Sequence, residues 1–222
     1  LQPLATTLIF TVIFGKLAKV PSDNLPYAVF ALAGLVPWNY FSAALSRGGT
    51  SLIGSASLIS KVYFPRLIIP IAAVLSGLVD LAVVLGLVFG LMVFYGIVPS
   101  LMSLTLPFFL LLAIAAALAI SLWLAALNVQ YHDVGYLIPF LAQFWLYATP
   151  VVYPASLIPE PWRVLYSVNP MVGVVEGFRW ALFGTAQAPW QCVAVSVITI
   201  AVLLVSGLFF FRRMEKIFAD VV

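Results

Sequence analysis

Residues 67–95 read LIIPIAAVLSGLVDLAVVLGLVFGLMVFY, and this stretch decides the fold class. Between Arg66 and His132 the single charged residue is Asp80. A helix crosses about 30 Å of hydrocarbon with roughly 20 apolar residues, so this stretch is long enough to span with tilt. A β-barrel would require segments of alternating polarity. Ile71–Val79, Leu81–Tyr95 and Phe108–Ala119 show no alternation. The reading is an all-α integral membrane protein.

The rest of the 222 residues agree: 64% are hydrophobic and only 8% charged, with the charges clustered between apolar runs. A soluble domain cannot hide that much apolar surface, because its exterior needs polar atoms to face water. The length allows about six spans in a single transmembrane domain, residues 1–222. The net charge of +3 comes without a concentrated basic stripe, so nucleic acid is not an expected partner. The lone Cys192 excludes an internal disulfide and any multi-cysteine metal site, and reads as a small buried thiol. Leu1-Gln-Pro3 stands at the edge of an apolar run, with no basic region before it and no cleavage site after it. The expectation is that the numbering starts inside a longer product and that an N-terminal segment precedes it.

Six spans are expected, over about Leu4–Leu17, Leu25–Leu45, Leu67–Tyr95, Leu104–Leu127, Tyr136–Val152 and Trp190–Phe211. Lys19–Asn24 has the Pro, Ser, Asp and Asn of a turn, and Pro37 predicts a kink in the second span. After Arg47-Gly-Gly-Thr50, residues Ser51–Ser60 look too polar to cross and read as an amphipathic helix at the membrane surface. The segment from Tyr153 to Pro189 carries five prolines and two short helical pieces, near Glu160–Ser167 and Met171–Phe183. Each is half the length of a crossing, which suits re-entrant or interfacial helices. Six spans gather Arg47, Lys61, Arg66, Arg212, Arg213 and Lys216 on one side and Lys16, Lys19, Arg163 and Arg179 on the other. The positive-inside rule then places both termini in the cytoplasm.

Catalytic equipment is sparse. No Gly-x-x-x-x-Gly-Lys-Ser/Thr is present to cradle nucleotide phosphates. One histidine and seven scattered carboxylates give no metal-ligand spacing. His132-Asp133 reads as a polar loop rather than an acid/base dyad. Asp80, deep in a span, is costly and is expected to face the bundle interior or a partner, or to be protonated. Aromatic residues concentrate in two spans: Trp38, Tyr40 and Phe41 beside Pro37, and Phe140, Phe144, Trp145, Tyr147 and Tyr153 along the fifth. They suit either stacking against sugar rings or an interfacial belt; Trp162 and Trp190 fit the belt. Lys61–Arg66 joins the amphipathic segment to the next span and reads as a cytoplasmic anchor, or as a surface helix meeting a partner or an anionic headgroup.

Several pieces in order along the chain are similar to one family: Leu1-Gln-Pro3, Val36-Pro-Trp-Asn-Tyr-Phe41, Ser57-Leu-Ile-Ser-Lys-Val-Tyr-Phe-Pro-Arg66, Asn128-Val-Gln-Tyr-His-Asp-Val134, Ala148-Thr-Pro-Val-Val-Tyr153, Asn169-Pro-Met171 and Glu176-Gly-Phe-Arg179. The sequence resembles the permease subunits of ABC transporters that export polysaccharides, of the O-antigen and teichoic-acid type. His132 departs from the pattern, which usually has Arg there. The resemblance implies a multi-pass subunit of the bacterial inner membrane, acting as a homodimer with a cytoplasmic ATPase that binds ATP and Mg. This chain would be no enzyme and would carry no cofactor of its own.

The implied substrate is a polyprenyl-diphosphate-linked glycan. Lys61, Tyr63 and Arg66 would serve the diphosphate and gate, and Ser57, Lys61, Asn128, His132 and Asp133 would serve coupling to the ATPase. Trp38, Tyr40, Phe41, Phe144, Trp145, Tyr147 and Tyr153 would line the sugar path. The competing readings are an ABC exporter of small drugs or lipids, a membrane enzyme acting on polyprenyl phosphates, and an ion-coupled carrier centred on Asp80. The enzyme lacks its clustered acids or histidines. The carrier lacks a second buried charge for a relay, and its inverted repeats are not evident.

Overall fold

The computed structural model describes residues 2–22, 25–59, 61, 64–184 and 188–215, which are mainly helical with no strand among them. Helix α1 (Gln2–Phe10) continues as π-type turns over Thr11–Leu17. The others are α2 (Tyr27–Gly54), α3 (Ala56–Ile59), α4 (Ile68–Leu75), α5 (Leu78–Phe94), α6 (Leu106–Gln130), α7 (Val134–Tyr147), α8 (Glu160–Tyr166), α9 (Pro170–Phe183) and α10 (Trp190–Glu215). Four stretches are long and apolar enough to cross a membrane: α2, α4–α5 together, Leu101–Gln130 containing α6, and α10. The protein is therefore a multi-pass, all-helical membrane protein. Two of the expected spans, now Ala5–Leu17 and α7, are shorter apolar helices. With 14 residues, α7 extends only about 21 Å.

The second span departs from expectation. Helix α2 runs through Pro37 and through Arg47-Gly-Gly-Thr50 to Gly54, so no separate surface helix occupies the described part of 51–60; one turn, α3, remains. The polar residues are satisfied without leaving the helix: the Thr50 hydroxyl donates to the Ser46 carbonyl at 2.8 Å and Ser51 to Gly48 at 2.6 Å. Gly48 and Gly49 are not loop residues. A Cβ on Gly48 would meet Ser121 of α6, and one on Gly49 would meet Ile138 of α7. The third span breaks at Ser76-Gly77 between α4 and α5, where a side chain at Gly77 would collide with the Arg47 guanidinium.

α2 is the hub, with Val29, Leu32, Phe41, Ala44 and Leu45 sealed in the core. Lipid gives helices no hydrophobic reason to associate, so small residues that permit close packing carry the contacts. The Ser121 hydroxyl donates to the Ala44 carbonyl at 3.4 Å. Ser196 of α10 accepts from the Gly173 N–H at 3.0 Å and donates to the Ser167 carbonyl. Trp123 of α6 stacks on Phe210 of α10 with ring centroids 4.5 Å apart. Cys192 is only partly buried, because Val193 and Ser196 take the inward positions of α10.

The half-length pieces form where expected, as α8 and α9. From Pro170 to Leu182, α9 is enclosed along almost its whole length. It ends at Gly184, whose φ of +62° favours glycine.

At the crossing of α9 and α6, a Cβ on Gly177 would enter the buried Phe109 ring, whereas Gly86 on α5 faces open space. Gly177→Ala should therefore cost about 1–3 kcal/mol of overpacking. Gly86→Ala should be neutral or stabilising by up to about 1 kcal/mol through helix propensity. Thermal unfolding of the detergent-solubilised protein, followed by size-exclusion chromatography, checks both; equal midpoints for the two variants would contradict this packing.

Candidate functional site

Helix α7 is held by little packing. Ile138 and Ala142, one turn apart, are its buried positions. The opposite side shows Tyr136, Phe140, Phe144 and Tyr147, at 85%, 69%, 68% and 53% exposure. At 100° per residue these rings fall on one face, so part of the aromatic set expected from the fifth span does form an open surface.

The rest of that set does not. Trp145 turns away: its indole N–H donates to Asn169 Oδ1 at 3.0 Å, and its ring meets Phe41 edge-on at 5.4 Å. Trp38, Tyr40 and Phe41 are buried in the core, so the expected path residues of the second span are packing residues instead. The Tyr40 hydroxyl donates to the Val74 carbonyl at 3.1 Å. Aromatic side chains on the hub helix supply the volume that its small neighbours leave, which explains their burial. Tyr153 donates to the Tyr147 carbonyl at 3.0 Å and shares a 2.7 Å hydrogen bond with the Tyr166 hydroxyl. Burial first, then that hydrogen bond, raises the Tyr166 hydroxyl above the usual tyrosine range, so it stays neutral.

Past α7 the chain turns through Ala148–Tyr153, outside any long helix, and side chains from other helices satisfy the exposed carbonyls. Asn169 donates to the Ala148 carbonyl at 2.9 Å and to the Thr149 hydroxyl at 3.0 Å. The Arg179 guanidinium donates to the Pro150 carbonyl at 2.6 Å and to the Val151 carbonyl. It also pairs with Glu176 at 3.1 Å and sits 3.7 Å over the Phe30 ring. The Tyr27 hydroxyl donates to the Val152 carbonyl at 2.8 Å. Arg179 is thus a buried structural cation rather than a loop charge. Its signal in the sequence is Glu176-x-x-Arg179, opposite charges one helical turn apart, which counting loop charges does not pick up.

The opposite end carries the other expected residues. The Arg66 backbone N–H donates to Glu215 Oε1 at 3.3 Å, and its guanidinium donates to the Glu215 carbonyl. A cation at the C-terminal end of α10 is favourable against the helix dipole. Lys61, Ser57, His132 and Asp133 are exposed. Tyr63 and Lys216 lie outside the described residues. Asn128, expected at the coupling surface, is instead buried, and its amide donates to the Gly49 carbonyl at 3.1 Å, tying α6 to α2.

Of the alternatives expected for Asp80, the structure bears on the first. It does not face the interior of this chain: its side chain is 79% exposed, with a carboxylate oxygen 3.7 Å from Arg47 Nη1. Gly77, Leu81 and Val88 take the inward positions of that span, which turns residue 80 outward. Among the described residues no group of three or more His, Cys, Asp or Glu is placed to hold a metal ion.

Residues 1–183 match the ABC-2 type transporter family. The chain belongs to this family of transporter membrane proteins. It is 27% identical over 220 residues to the O-antigen export system permease protein RfbA of Myxococcus xanthus, covering 97% of this chain and 84% of the relative. Two proteins of the same name from Klebsiella pneumoniae are 26% and 28% identical over 221 and 222 residues, each covering 99% of this chain and 84% of the relative. The recognised pieces thus lie within a similarity that extends over nearly the whole chain.

Breaking a buried ion pair from one side typically costs about 3–5 kcal/mol. Arg179→Met, which also strands the Pro150 and Val151 carbonyls, should fall in that range, while the isosteric Glu176→Gln should cost clearly less. Thermal unfolding midpoints decide this; an Arg179→Met midpoint equal to wild type would remove the residue from its role in holding the turn.

Proposed function

We propose that this chain is the permease subunit of an ATP-driven exporter that moves a polyprenyl-diphosphate-linked, O-antigen-like glycan from the cytoplasm across the inner membrane. The observation that carries the reading is the open aromatic face of α7, Tyr136, Phe140, Phe144 and Tyr147, in a chain similar along its length to permeases named for O-antigen export. Aromatic faces stack on sugar rings with tolerance of position, which lets a polymer slide. A rigid drug pocket would need a closed apolar cavity with a few fixed polar groups.

In this reading two copies associate, each bound to a cytoplasmic ABC ATPase subunit that holds ATP and Mg. Ala5–Leu17 and α7 complete six spans, both termini are cytoplasmic, and α8 and α9 are re-entrant helices at the external side. The exposed Lys61 and the half-buried Arg66 receive the diphosphate. Arg66 has five side-chain N–H donors, so its bond to the end of α10 leaves others for a phosphate. Closure of the ATPase subunits pushes on α3, Ser57, Lys61 and the His132-Asp133 turn. Export of small drugs or lipids is the alternative.

Deleting the gene should remove the glycan from the cell surface and accumulate finished, lipid-linked polymer in the inner membrane. Unchanged surface glycan would exclude the reading and bring drug or lipid export forward. Arg66→Ala should lower both export and glycan-stimulated ATPase activity of the assembled transporter; wild-type values for both would remove Arg66 from the diphosphate site.

A further inference from the structure

Gln143 stands at one edge of the α7 aromatic face, level with its rings along the helix axis. At 100° per residue, Gln143, Tyr136, Tyr147, Phe140 and Phe144 fit within an arc of about 100°. Gln143 is exposed, and its amide makes no hydrogen bond among the described residues. Exposed rings lie on both sides of it along the helix axis, Phe140 before it and Tyr147 after it, so the amide is flanked by apolar groups one turn before the end of α7.

Three surroundings are open to such a face. Hydrocarbon would leave two N–H donors and a carbonyl unmet, and polar groups in lipid are expensive when unsatisfied. Serines and threonines of the long helices avoid this by bonding to their own backbone, as Ser206 does to the Val202 carbonyl at 2.7 Å; Gln143 does not. A dry protein contact would have the same cost unless it supplied matching polar partners. A wet passage has no such cost, and it also explains why large aromatics stay uncovered here.

Resting on the export reading above, we propose that Gln143 is a specificity-determining residue of the glycan passage, facing water at rest and hydrogen-bonding sugar hydroxyls in transit. A carboxamide both donates and accepts, as a sugar hydroxyl does. Flanking rings can stack on the sugar's apolar face while the amide engages its edge. Together these groups select carbohydrate over an acyl chain of similar width. This assigns the face one occupant, the sugar chain, and gives the amide a role that stacking alone lacks.

The test uses the full transporter with its ATPase subunits, in cells. Gln143→Cys in a Cys192→Ser background should react with a membrane-impermeant thiol reagent added from outside, and trapped glycan should protect it. An unreactive thiol at position 143 in a normally inserted protein would overturn the wet-passage assignment. Gln143→Leu, at normal membrane abundance, should reduce surface glycan several-fold while Gln143→Asn retains most of it. Wild-type export by Gln143→Leu would overturn the specificity role. Both results would leave the export reading intact, since that reading fails only if deleting the gene leaves surface glycan unchanged.

Discussion

Hydrocarbon supplies no hydrogen bonds, and that constraint organises the molecule. Within the long helices the backbone satisfies itself, and the hydroxyls fold back on it: Ser46 to the Ser42 carbonyl, Thr50 to Ser46, Thr199 to Val195 and Ser206 to Val202. The difficulty falls on the buried turn after α7, where the Thr149 carbonyl accepts from the Val151 N–H but those of Ala148, Pro150, Val151 and Val152 take donors from elsewhere. Asn169, Arg179 and Tyr27 supply them from α9 and α2. An unmet buried carbonyl costs about 1–3 kcal/mol, so several in a row would exceed what a short, thinly packed helix returns. The buried arginine is tolerable for the same reason: its charge is shared among two carbonyls, Glu176 and the Phe30 ring.

That constraint also separates the charges into kinds. Arg179 lies in an almost fully enclosed helix and holds protein to protein. Arg66 holds the start of the third span to the end of the last one. Arg47 and Asp80 pair on the outside of the chain at 3.7 Å, beyond an ideal hydrogen bond and with the carboxylate mostly exposed. An exposed pair of this kind contributes little to the stability of a single chain. Its placement in a span is therefore a property of whatever surrounds the chain, and not of its core.

What was legible in the sequence follows the same division. Long apolar runs with clear ends, such as α6 and α10, are fixed by length against bilayer thickness and stand within a few residues of where they were expected. The half-length pieces after Tyr153 were legible because a proline stands at the start of each. The boundary at Arg47-Gly-Gly-Thr50 was not, because polarity in a linear string does not show that Thr50 and Ser51 bond back into the helix, or that Gly48 is the floor of a helix crossing. The site was half legible. The aromatic enrichment of the fifth span was visible, but which rings face out depends on register against α2, and that register sends Trp145 inward and leaves Phe144 outside. Trp38, Tyr40 and Phe41 look alike as letters and differ from the α7 aromatics only in being on the hub. Gln143 is not legible in the sequence, because one amide in an apolar run carries no pattern; that it lacks a hydrogen-bond partner among the described residues appears only in the fold.

A helix that fully buries only Ile138 and Ala142, with Val134, Trp145 and Leu146 packed partly against the core, gains far less from packing than the stripe along α2 or α9. Polar ties at its ends add to that packing. One end is anchored by the Trp145–Asn169 hydrogen bond and by the carbonyl network of the following turn. The other follows a tight turn at Tyr131–Asp133, with Gly135 lying against the Asn128 amide that ties α6 to α2. Holding a helix by its ends leaves one side of it uncovered from end to end. In the proposed export reading that uncovered side is the passage wall, and a core helix would lose stability by having it. The polar ties at 148–152 and the open rings of Tyr136, Phe140, Phe144 and Tyr147 are therefore two consequences of one arrangement: fixing the ends is what permits the face to stay free.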